Sequence, residues 1–127
     1  VLLPRFEGDL LLLLAATAHG ALGEAPPPRW REAFATCVVL VAEGYPETGS
    51  FGAEITLPDT CPEGTFLFHG GLVRREGRSF TAGGRVLSVT ALGKNLREAT
   101  AAAYATAERI TFPGCDYRRD IGGGEDR

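Results

Sequence analysis

The stretch Thr81–Gly93, TAGGRVLSVTALG, decides the fold. Paired glycines supply the positive φ that hairpin turns need, so Thr81–Gly84 reads as a tight turn. Arg85–Leu92 then reads as a strand of period two. Leu87, Val89 and Ala91 point one way, and Val86, Ser88 and Thr90 the other. Gly93 stops the strand. Asn95 is an N-cap residue with Glu98 three positions on, the spacing of a capping box. The helix it opens is predicted over Asn95–Ile110, where Leu96, Ala99, Ala103, Ala107 and Ile110 recur at helical spacing.

Working outward, strands are predicted at Thr65–His69 and Leu72–Arg75, with a turn at Glu76–Gly77 and Arg78–Thr81 pairing back. Thr36–Ala42 (TCVVLVA) is apolar and β-branched, the pattern of a strand buried on both faces. Ala53–Leu57 reads as a short strand, Ile110–Phe112 as a strand start, and Cys115–Asp120 as a final extended segment. Gly122–Arg127 reads as a flexible tail. At the other end, Pro4 disfavours helix at Leu3, so Val1–Phe6 is expected to be extended. Asp9 caps a predicted helix over Leu10–Ala21 that is apolar around its circumference and calls for burial on more than one side. Glu24–Arg29, with three prolines, reads as a stiff exposed spacer. The sum is α+β: an antiparallel meander with one long helix packed on it.

The totals exclude several classes. Net charge is −3, against the basic, clustered footprint of a nucleic-acid binder. No apolar run nears the roughly 20 residues of a membrane span. Cys37, Cys61 and Cys115 are an odd number without CxxC spacing, which argues against a disulfide framework or zinc ribbon. His19, read as mid-helix, and His69, at a strand end, have no second ligand at metal spacing. The chain has no Met and starts at Val1, which is expected of a processed product or a piece of a longer protein.

GGRVLSVTALG at Gly83–Gly93, followed by a helix and YRRDIG at Tyr117–Gly122, resembles the C-terminal domain of the phosphoribosylamine–glycine ligases. These are purine-biosynthesis members of the ATP-grasp superfamily. LLPRFEGDLLLL at Leu2–Leu13, AEGYP at Ala42–Pro46 and FHGG at Phe68–Gly71 fall in the family's order and approximate spacing. The resemblance implies that residues 1–24 are the end of the ATP-grasp core and 25–127 the C-terminal domain. It implies a cytoplasmic enzyme that joins glycine to phosphoribosylamine with ATP and Mg or Mn. Nucleotide and metal would be held by the N-terminal remainder of the same protein. This piece would then carry no catalytic or metal residue and bind no cofactor itself. Two alternatives stay open. One is the equivalent domain of another purine ATP-grasp enzyme, such as an aminoimidazole ribonucleotide carboxylase, which AEGYP and TALG argue against. The other is a standalone interaction module using the Leu10–Leu14 face.

Candidate substrate residues are Arg118, Arg119, Gly84, Arg85 and Arg5. Guanidinium groups bind phosphate bidentately and stay charged at any working pH. By the resemblance, Arg118 and Arg119 would hold the 5-phosphate of phosphoribosylamine. Neighbours in an extended segment face opposite ways, so one would meet the phosphate while the other pairs with Asp120 or Asp116. Gly83–Gly84–Arg85 reads either as a turn with an exposed Arg or as backbone closely approaching an anion. Arg5, just after the position of the family's metal motif, would reach the active site or pair with Glu7 or Asp9. Tyr45 reads chiefly as a packing residue.

Overall fold

The structure is a computed structural model that describes residues 1–123. Its elements are α1 (Leu2–Arg5), β1 (Phe6–Glu7), α2 (Leu10–Ala18), β2 (Arg29–Trp30), β3 (Phe34–Val41), β4 (Glu54–Ile55), β5 (Thr65–His69), β6 (Leu72–Arg75), β7 (Arg78–Thr81), β8 (Arg85–Gly93) and α3 (Leu96–Ala107). All strand pairs are antiparallel: β1 with β2, a sheet ordered β3-β8-β5, and a sheet ordered β4-β7-β6. With α3 laid on the sheet centred on β8, the α+β expectation holds.

Register explains how β8 organises the core. Leu87, Val89 and Ala91 pair with Leu40, Val38 and Thr36, so all six share a face. That face meets α3: Thr36 Oγ1 lies 2.9 Å from Thr100 Oγ1, and Ala99, Ala103 and Ala107 are fully buried. Alanines on the inner stripe let the helix lie close to the sheet. Asn95 caps α3 as its sequence predicts, accepting the Glu98 N–H at 2.9 Å. Glu98 reaches back to the Lys94 N–H at 3.1 Å rather than to that of Asn95, a box shifted by one residue. The helix ends at Ala107, three residues before the predicted end, and Ile110 enters the core as a loop residue.

The turn expected at Gly83–Gly84 is a bend instead. β5 and β6 run along one side of a single antiparallel ribbon, and β7 and β8 along the other. His69 pairs with Leu87 on one arm and Leu72 with Thr81 on the other, so two residues face five between them. Three rungs cross this bulge: Gly70 donates to the Val86 carbonyl at 3.0 Å, and Gly71 donates to the Arg85 carbonyl at 2.7 Å and accepts the Ala82 N–H at 2.7 Å. Neither Gly83 nor Gly84 has positive φ. They are glycine because of close approach: a Cβ on Gly71 would sit 2.5 Å from the Gly83 Cα. The bulge splits what would be a meander into two sheets.

Other expectations are corrected by tertiary context. Val1–Phe6 is not extended throughout: α1 accommodates Pro4 in its first turn, where a missing N–H costs nothing, and buries it. α2 begins at Asp9, whose carboxylate accepts the Leu12 N–H at 3.0 Å. It ends at Ala18, with His19 as C-cap rather than mid-helix and Gly20 at φ +70°. The spacer is partly ordered, since Arg29 joins β2. β3 is buried on one face only: Val38 and Leu40 are inaccessible, whereas Val39 is 40% exposed. Thr111 and Asp116 make isolated bridges, to Thr56 and Val41, in place of the strands expected around them. The tail expected at Gly122–Arg127 lies mostly outside the described residues, though Gly122 itself packs beside Thr100 of α3.

Candidate anion-binding site

The sheet face turned away from α3 carries Cys37, Val39 and Val41 of β3. Beside them opens a cavity of about 340 Å³, completed by Tyr45, Arg85, Asp116, Tyr117, Arg118 and Ile121. Three separate segments meet there. The first is the end of β3, where the register shifts between Leu40 and Val41. The second is the bend at Gly84, whose carbonyl accepts the Ala42 N–H at 2.8 Å. The third is the chain after Cys115, held by reciprocal bonds between Val41 and Asp116 of 2.8 and 3.1 Å.

Gly84 matters here through packing. A Cβ on it would stand 2.5 Å from Tyr45 Cδ2, so the tyrosine ring lies directly on the glycine. The close approach read from the sequence is therefore made to an aromatic ring. It fixes one wall of the cavity beside Arg85.

The two arginines of RRDIG have different surroundings. Arg118 lines the cavity. Its Nε donates to Asp120 Oδ1 at 2.9 Å and its Nη2 to Asp120 Oδ2 at 2.6 Å. The fork uses one edge of the guanidinium and leaves both Nη1 hydrogens, plus one on Nη2, for another acceptor. Hydrogen bonding to Arg118 holds the Asp120 carboxyl below its ordinary value, and the same bond raises the guanidinium. Arg119 instead lays its guanidinium over the Tyr117 ring, 4.7 Å from the centroid, with Nη1 3.5 Å from the Tyr117 hydroxyl. It does not line the cavity.

Arg85 and Arg118 thus share one concave site, and Arg5 is not part of it. Arg5 Nη2 donates to the Arg31 carbonyl at 3.4 Å, and its Nε is buried without a partner. Glu7, considered above as its partner, pairs with Arg31 at 3.5 Å. Asp116 and Tyr45 were not read as site residues. Nothing local marks either: the glycine under the Tyr45 ring is Gly84, far along the chain, and Asp116 is placed by its bridge to Val41. The cavity thus combines two cations, a carboxylate oriented by the Tyr117 N–H at 2.8 Å, and an apolar floor. Two guanidinium groups in one concave site suit an anion such as a phosphate.

Fold and site together define an α+β domain with a cleft lined by two arginines on the open face of its sheet. Residues 35–124 match the family model described as phosphoribosylglycinamide synthetase, C domain. The chain belongs to that family. It is 46% identical over 95% of its length to the phosphoribosylamine–glycine ligase of Caulobacter vibrioides, and 47% identical over 96% to that of Phenylobacterium zucineum. It spans 29% of the length of either relative. The crystal structure of the Thermotoga maritima phosphoribosylamine–glycine ligase superposes with a TM-score of 0.72 at 37% identity, covering 87% of this chain and 26% of that one. Among the described residues no helix is long and apolar enough to cross a membrane.

Proposed function

We propose that the chain is the C-terminal portion of a phosphoribosylamine–glycine ligase, with residues 1–24 closing the ATP-grasp core and 25–127 forming the C-terminal domain. The complete protein would activate the glycine carboxylate as an acyl phosphate at the expense of ATP. The amine of 5-phosphoribosylamine would then attack that carbonyl, expelling phosphate and giving glycinamide ribonucleotide. The observation that carries this reading is the cleft that joins Arg85 and Arg118 in a member of this family. Arg118 supplies its free guanidinium edge to the 5-phosphate, Arg85 adds a second cation, and Tyr45 on Gly84 shapes the wall. Arg119, stacked on Tyr117, supports that wall rather than the phosphate.

Among the described residues no three His, Cys, Asp or Glu side chains converge as a metal would need. By its likeness to the family, the complete protein would take ATP and magnesium on its N-terminal remainder and act in the cytoplasm.

The test is Arg118→Ala in the complete protein. Loss of a charge-assisted hydrogen bond, about 1.5–3 kcal/mol, raises the KM for phosphoribosylamine tenfold or more and leaves those for glycine and ATP unchanged. An unchanged KM for phosphoribosylamine contradicts the assignment. The 127-residue chain alone is expected to show no ligase turnover. Measurable turnover would place the chemistry on these residues.

A further inference from the structure

One hydroxyl ties the turn that carries Arg118 to the helix α3. Tyr104, on α3, donates its Oη hydrogen to the Arg118 carbonyl at 2.7 Å and accepts the Ile121 N–H at 3.0 Å. One oxygen therefore spans the turn that carries Arg118 and Asp120. The tie ends on a fixed post, because the neighbouring α3 residues Ala103 and Ala107 are fully buried against the sheet. The Tyr104 ring also lies 6.1 Å from that of Tyr117, itself a wall of the cavity. A side-chain link within this turn, the Arg118–Asp120 fork, has side chains 75% and 67% exposed. An ion pair so exposed restrains weakly.

We propose that Tyr104 is a positioning residue for Arg118: its hydroxyl holds the backbone from which the guanidinium reaches into the cleft. Affinity for a phosphomonoester then depends on a group that never touches it. The proposal rests on the reading that Arg118 binds the phosphate. Its chemistry is plain. A phosphate contact is worth most when the donor is already in place, since ordering a mobile loop and a long side chain costs affinity at the moment of binding.

Tyr104→Phe in the complete protein is the test. It keeps the ring and its packing beside Tyr117 and removes only the hydroxyl. The expected result is a KM for phosphoribosylamine about three- to tenfold higher, with kcat and the KM values for glycine and ATP unchanged. The dissociation constant of ribose 5-phosphate, measured by calorimetry, rises by the same factor. Tyr104→Phe combined with Arg118→Ala is expected to be no worse than Arg118→Ala alone, because both act through one guanidinium. Full additivity in that pair overturns the proposal. So does a matched loss in kcat and in the glycine KM, which marks a general structural role. An unchanged KM in Tyr104→Phe beside a raised one in Arg118→Ala overturns the positioning role and leaves the phosphate assignment standing. Unchanged values in both overturn the two together.

Discussion

Residues 1–34 and 35–123 are built on opposite terms. In the second region the strands around β8 and the helix α3 bury Val38, Leu40, Val86, Val89 and Ala103 completely. In the first, only Pro4 is buried. Leu2, Leu3, Leu11 and Leu14 are 58–75% exposed there, and α2 has no buried residue at all. Both regions are rich in apolar side chains, so composition does not separate them. Topology does: the second region closes its sheet with its own helix, while the first pairs two-residue strands and leaves a leucine helix uncovered. An apolar surface of this kind marks an interaction site; on the proposed reading its partner would be the rest of the ATP-grasp core.

The largest expected contrast lies between two leucines. Leu87→Ala removes a side chain 1% exposed at the centre of the sheet and is expected to cost about 2–5 kcal/mol. Leu11→Ala removes one that is 75% exposed and should fall within about 0.5 kcal/mol of the parent chain. Urea unfolding of the 127-residue chain checks both. Equal costs would break the comparison. A further sharpening is to make the same pair of changes in the complete protein, where burial of α2 would raise the cost of Leu11→Ala alone.

A smaller contrast comes from two helix caps of the same chemistry. Asp9 and Asn95 each accept one backbone N–H three residues on, at 3.0 and 2.9 Å. Asn95→Ala is expected to lower the global stability by about 1 kcal/mol, because α3 is part of the core. Asp9→Ala is expected to fray α2, visible as lost far-ultraviolet helix signal, while the cooperative transition stays where it was. A shift of that transition equal to that of Asn95→Ala would mean that α2 folds with the core.

The smallest effect is electrostatic. Hydrogen bonding to Arg118 sets the folded pKa of Asp120 below its unfolded value. Its contribution is therefore present above the ordinary aspartate range and lost as the pH falls through the lowered folded value. Both groups are exposed, so the readout is the carboxyl titration followed by NMR rather than unfolding. Arg118→Ala is expected to move the Asp120 midpoint upward, and no movement would mean the fork is not populated in solution.

What the sequence shows of this fold divides along the same physical line. Signals that act within a few residues are legible. The alternation of β8 assigns Leu87, Val89 and Ala91 to one face, the caps at Asp9 and Asn95 start their helices where expected, and Glu76–Gly77 turns the β6–β7 hairpin. Signals completed by distant residues are not. Gly83–Gly84 looks the same in a hairpin turn and in a bulge, and only Gly70–Gly71 across the ribbon distinguishes them. β3 reads as buried on both faces because its composition cannot show that α3 covers one face and a cleft opens on the other. In the candidate site, Arg118 and Arg85 stand out as cations beside glycine- or aspartate-rich turns. Tyr45, Asp116 and Tyr104 enter through the packing of segments far apart in the chain.

The most direct measurement is amide hydrogen exchange of the complete protein with and without ribose 5-phosphate. Slowed exchange concentrated at Tyr117–Ile121 and at the Gly84–Arg85 bend is the predicted result. Protection elsewhere, with both of these segments unchanged, would contradict the assignment of the phosphate to this cleft.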